Sequence, residues 1–208
     1  MKTSRLLVII IVCCCIIPTL IGCSTQKVNA GQKEKLTTYI FADYPHYSSI
    51  DSLAEKADII IEGKIVSSRV EEINILDKTN MEDKKLHPSS EIQTSKMVYT
   101  VYTVKVSDSY KGTVKPGEIV EVKQLGGEDE TTVYISEDSV KFPKNKKYLM
   151  FLSTYENVPA SLLNPIQGSY SYEEETLINK GKLQSVNTKN DLTLTIEDLE
   201  KIKNKYLK

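Results

Sequence analysis

Apolar residues come in blocks along this chain, and their spacing changes from one block to the next. Leu6 to Leu20 is almost continuously apolar, interrupted by Pro18, whereas Cys23 to about Lys35 is polar and has no apolar period. Ile50, Leu53, Ala54 and Ala57 then recur at i, i+3, i+4 and i+7, which predicts an amphipathic helix over Ser49–Ala57. Ser48 and Asp51 match a capping box at its start. The β-branched run from Asp58 to about Val70 predicts a strand, and Gly63 inside it predicts a bulge or bend. From Glu71 to Lys96 the pattern dissolves into charged and polar residues, as expected of a long excursion between two paired strands.

Strict alternation returns at Met97–Ser107, with Val98, Thr100, Tyr102, Val104 and Val106 on one face. Lys115-Pro116-Gly117 predicts a turn, Glu118–Leu125 a strand, and Gly126-Gly127 with Glu128-Asp129-Glu130 its close. Thr132–Ile135 reads as a short strand. Tyr148–Leu152 is a continuous apolar run, suited to a central strand buried on both faces. Pro159, Pro165 and Gly168 mark a loop before Tyr170; Thr176–Asn179 and Lys182–Val186 suggest a hairpin. A last helix starts at Thr195, with Asp198 completing a capping box and Ile196, Leu199, Ile202 and Tyr206 on one face. About six short strands with a helix near each end, and no β-α-β alternation, predict a mainly β, α+β domain: a small antiparallel barrel or sandwich.

The start of the chain reads as an export signal. Lys2 and Arg5 precede the apolar stretch, which is shorter than the roughly 20 residues of a spanning helix. Leu20-Ile21-Gly22-Cys23 resembles the lipobox of bacterial lipoproteins, which implies cleavage between Gly22 and Cys23 and a diacylglyceryl group on the Cys23 sulfur. The expected organisation is a signal over 1–22, a tether over 23–35 spanning about 20 Å, and one domain over 36–208 with the polar insertion near 71–96. Membrane lipid is the expected partner of Cys23, with the domain outside the cytoplasm. The four cysteines, Cys13, Cys14, Cys15 and Cys23, all lie at this end. The domain therefore folds without disulfides and without a Cys-ligated zinc. Lys+Arg total 27 against 28 Asp+Glu, a balance that argues against a general nucleic-acid binder.

Three segments carry a family likeness: Ala57 to Val66, Tyr102 to Val106 leading into Tyr110-Lys111-Gly112, and Lys146 to Phe151. Their order and spacing resemble the OB-type barrel of the tissue inhibitors of metalloproteinases and of bacterial lipoproteins built on that pattern. The resemblance covers roughly Ser48 to Leu152 and implies an OB-like barrel with a helix before its first strand and another at the C-terminus. In those inhibitors a disulfide-pinned N-terminal cysteine chelates the protease zinc. Here Cys23 is expected to be lipidated and has no partner cysteine, so that chemistry does not carry over.

Candidate chemistry is sparse. The chain has two histidines, His46 and His87, and no Ser-His or Cys-His pair is apparent. His46, with Asp43 and Asp51 nearby, could ligate a metal, but one His among loop carboxylates is not a metal-site pattern; no metal and no cofactor are expected. The acidic runs Glu128-Asp129-Glu130 and Glu173-Glu174-Glu175 could serve a hydrolase of surface polymers, although consecutive turn acids are normally solvated. The loop Gly126 to Glu130 could instead serve a protease inhibitor. Lys201, Lys203, Lys205 and Lys208 form a basic helix face that could favour anionic headgroups. Tyr44, His46 and Tyr47, with Tyr170 and Tyr172, are the candidate partner surface for a protein or surface polymer. The same tyrosines suit packing of the N-terminal arm on the barrel. The reading that results is a non-catalytic binding module on a lipid anchor.

Overall fold

The computed structural model describes residues 34–74, 96–172 and 181–207, which belong to one compact unit. In chain order these residues form β1 (Leu36–Ile40), α1 (Ile50–Lys56), β2 (Ile59–Asn74), β3 (Lys96–Lys111), β4 (Ile119–Leu125) and β5 (Gly127–Glu128). They continue as β6 (Thr132–Ser136), β7 (Lys147–Ser153), β8 (Ala160–Leu162), β9 (Ser169–Ser171), β10 (Gln184–Ser185) and α2 (Ile196–Tyr206).

The framework is mainly β, with five strands closing on themselves. β7, β2, β3 and β4 pair in that order, β4 pairs β8, and β8 returns to β7. Each pair is antiparallel except β4–β8, where Val122 and Lys123 run parallel to Ala160 and Ser161. The expected antiparallel barrel is thus an OB-like ring with one parallel seam. That seam follows from connectivity: the chain goes from β4 through β5, β6 and β7 before β8 inserts between β7 and β4. A separate three-stranded sheet, β1-β6-β5, stands beside it in the chain order, with β1 parallel to β6.

Residues from all five ring strands make one core, including Ile61, Val104, Val122, Met150 and Leu162. Phe142 meets Tyr102 and Tyr148 edge-on, its ring centre 5.2 and 5.0 Å from theirs. The opposite face of β7 supplies Leu149 and Phe151 to a second core with Leu53, Tyr170, Leu199 and Ile202, where both helices dock. Tyr148–Leu152 is therefore buried on both faces, as its apolar run predicts. A smaller third cluster, Ile73, Tyr99, Val101 and Leu125, lies on the remaining face of β3 and β4.

Gly63 marks a real irregularity. The β2–β3 register shifts between Glu62 and Gly63, and a Cβ there would lie 2.5 Å from Val104 Cγ1 and 2.9 Å from the Lys105 carbonyl oxygen. Only a residue without a side chain lets the two strands approach this closely.

Several boundaries differ from expectation. The first strand, β1, precedes the first helix; its residues are nearly all exposed and so carry no apolar alternation to read. The cap of α1 is Ser49 rather than Ser48, and its capping-box partner is Ser52 rather than Asp51. Glu71–Asn74 extend β2 instead of opening the polar excursion, held by pairing with Met97, Val98 and Tyr99 despite their charge. β8 and β9 occupy the stretch read as loop around Pro165, and Lys182–Val186 contributes β10, paired with β9. Thr176–Asn179, the other arm of the expected hairpin, lies outside the described residues. At α2 the expected box is present: Thr195 caps the Asp198 amide and the Asp198 side chain returns to the Thr195 amide.

Candidate ligand cleft

Register places the elements of the site. Tyr99 and Val101 of β3 stand opposite Leu125 and Lys123 of β4, so these four share one face of the sheet. The arm before α1 brings Tyr44 to this face, and the β7–β8 connection brings Tyr155 and Val158. Between them lies a cleft of about 720 Å³ whose lining includes Ile73, Tyr99, Lys123, Leu125 and Ser161, and among the described residues no Asp or Glu. Its size is ordinary for a small-molecule site of apolar walls and few polar groups.

Lys123 is the unusual group. It is only 7% exposed, and burial depresses its pKa from 10.5 to about 8. Its ammonium donates to the Pro159 carbonyl at 2.6 Å and sits 3.9 Å from the centre of the Tyr155 ring. Among the described residues no carboxylate is paired with it. On the same wall the Tyr155 hydroxyl and Ser161 Oγ are hydrogen-bonded at 2.9 Å. Burial also pushes the phenols of Tyr44 and Tyr99 up, Tyr99 to about 12, with mutual repulsion among Tyr44, Tyr99 and Tyr155 adding to the effect on Tyr99. These phenols remain neutral donors through the physiological range.

The structure separates the candidate surface named from sequence. Tyr44 reaches the cleft. His46 is exposed and bonds Asp191 at 2.9 Å through Nε2, with neither Asp43 nor Asp51 as partner. Tyr47 packs at the edge of the helix core, its backbone clamped by Gln167: Oε1 accepts the Tyr47 amide and Nε2 donates to the Tyr47 carbonyl and to Asp191 Oδ1. Asn164 donates to the Pro45 carbonyl beside it. Tyr170 is fully buried between β7 and the helices and cannot be a surface residue; β9 turns it inward, where Asn190 donates to its hydroxyl. Tyr172 packs against the same core, and Lys147 lies over its ring. The tyrosines named from sequence thus mostly fasten the arm and β9.

The charged runs behave as solvated turns and faces. Glu128 pairs with Lys35, and Asp129 accepts the amides of Thr131 and Thr132 in the β5–β6 turn. Lys201 pairs with Glu197, and Lys203 with Asp108. Gly22, Cys23, His87, Lys208 and Glu173-Glu174-Glu175 lie outside the described residues. Lys123, Tyr99 and Tyr155 were missed in sequence. Their signal was available in part: Lys123 and Leu125 alternate onto one strand face, so a lysine shares its face with an apolar residue. No helix among the described residues is long and apolar enough to cross a membrane. No protein-family model and no curated protein matches this chain.

Proposed function

We propose that the chain is a lipid-anchored extracytoplasmic lipoprotein whose domain is a non-catalytic binding module. The anchor rests on the leader pattern ending at Cys23. The binding role rests on one observation: an apolar cleft of about 720 Å³ containing a buried lysine without a carboxylate partner among the described residues. A lysine placed in this way is costly to folding and has no counter-charge among the described residues, whereas a ligand would supply one. A hydrolase working through paired carboxylates finds no Asp or Glu among the described residues of the cleft lining.

The test is native mass spectrometry of the full-length protein exposed to extract of its own membranes. A bound small molecule should appear on the wild type and be lost from Val158→Trp, whose indole would fill the cleft. Identical spectra for both proteins would contradict the reading.

A further inference from the structure

The cleft's chemistry narrows what it would hold, and the following rests on the reading of the cleft as the binding site. A protonated lysine offers three donors. At Lys123 one is spent on the Pro159 carbonyl and the charge is partly met by the π face of Tyr155, which leaves donor capacity beside the cleft. Ser161 stands level with Lys123 in the parallel β4–β8 pairing, and its hydroxyl is bonded to that of Tyr155. Cation and hydroxyl pair thus lie together on one wall, while Ile73, Leu125, Val158 and the rings of Tyr44 and Tyr99 supply much of the apolar lining, beside the amide residues Asn74, Gln124 and Asn157.

We propose that the cleft takes an amphiphilic anion: a single carboxylate-type headgroup on Lys123 and the Tyr155–Ser161 hydroxyl pair, with an apolar or aromatic body against the tyrosines and aliphatic side chains. A cationic ligand would meet a like charge only partly offset by the Tyr155 ring, and a fully apolar one would add no counter-charge to the buried ammonium. A polyanion would find one cation only among the described lining residues. A bound anion also favours the protonated amine, so affinity is highest below the free Lys123 value near 8 and declines as pH rises through it. Among the described residues, the other ionisable groups lining the cleft are Tyr99 from β3, Tyr44 from the arm and Tyr155 from the β7–β8 connection, and the charge of Asp138 acts on Tyr44. Tyr44 and Tyr99 are pushed upward and do not titrate in that window.

Three probes of one shape test this by calorimetry on the full-length protein: naphthylacetate, naphthylethanol and naphthylethylamine. The anion is expected to bind about ten- to a hundredfold tighter than the alcohol, the worth of one charge-assisted hydrogen bond. The amine should bind weakest. Lys123→Met should bring the acid and the alcohol to equal affinity, and Val158→Trp should abolish binding of each. If alcohol and acid bind equally to the wild type and Val158→Trp removes both, the cleft stands and the anion preference is overturned. Tightest binding by the amine overturns the preference as well. If none of the three binds at any pH tested, the cleft itself is refuted as a site for this class.

Discussion

Replacing Lys123 by Met keeps an unbranched side chain one atom shorter and removes its charge, and the structure fixes how the consequence must vary with pH. In the unfolded chain this lysine titrates near 10.5, whereas in the fold desolvation holds it at about 8. Between those values the unfolded state carries a proton that the folded state has released. Stability of the wild type therefore rises with pH across that window, relative to a variant with no amine. At about 1.36 kcal/mol per unit, the wild type should gain about 2.5 kcal/mol on Lys123→Met between about pH 7 and pH 10. The hydrogen bond to the Pro159 carbonyl and the contact with the Tyr155 ring set the offset between the two proteins at neutral pH. The slope depends on the shift of the amine alone. Urea unfolding of both proteins at a series of pH values measures it, because titrating groups remote from Lys123 cancel in the difference. A difference that stays flat across the window would show that Lys123 is hydrated or paired, and the reasoning about the cleft would fail with it.

Other consequences follow from separate parts of the fold. Gln167→Leu should destabilise by about 2–4 kcal/mol, since the Tyr47 amide and carbonyl lose their partner, and the Tyr47 amide should exchange faster in hydrogen-exchange mass spectrometry. Gly63→Ala should cost about 1–3 kcal/mol in thermal or chemical unfolding, because its Cβ collides with Val104 and the Lys105 carbonyl. At Glu62, burial raises the carboxyl pKa, but hydrogen bonds from Lys147 and Ser107 and the Lys147 charge more than offset it, leaving a value below the usual 4.5. Its contribution is thus present above 4.5 and lost as pH falls through the lower folded value. Glu62→Gln should cost about 1 kcal/mol at neutral pH, the half-exposed lysine limiting the effect, and nothing in strong acid. Cys23→Ser should release the protein from the membrane fraction; retention there would contradict the lipid anchor.

What could be read from the sequence follows from how each element is stabilised. Tyr148–Leu152 and the Thr195–Asp198 box were legible because local pattern and final environment agree: five consecutive apolar residues do enter two cores, and the cap satisfies its own helix amides. Glu71, Glu72, Asn74 and β1 were not, because pairing with another strand, rather than burial of their own side chains, holds them in place, and Ile73 is an isolated core position among them. Tyr170 misled for a related reason. A tyrosine next to a loop looks like surface until Asn190 is seen to satisfy its hydroxyl inside the core. The cleft was the least legible feature. Lys123 becomes unusual only when β8 inserts in parallel beside β4 and the connection carrying Tyr155 and Pro159 closes over it, a juxtaposition more than thirty residues apart in the chain.

The most direct measurement is an NMR titration of the lysine side chains of the isotopically labelled protein, with the Lys123 signal identified by its loss in Lys123→Met. In the free protein this amine should titrate near 8, and saturating naphthylacetate should move its midpoint upward. A midpoint at the ordinary lysine value in the free protein, unmoved by the anion, would contradict the account.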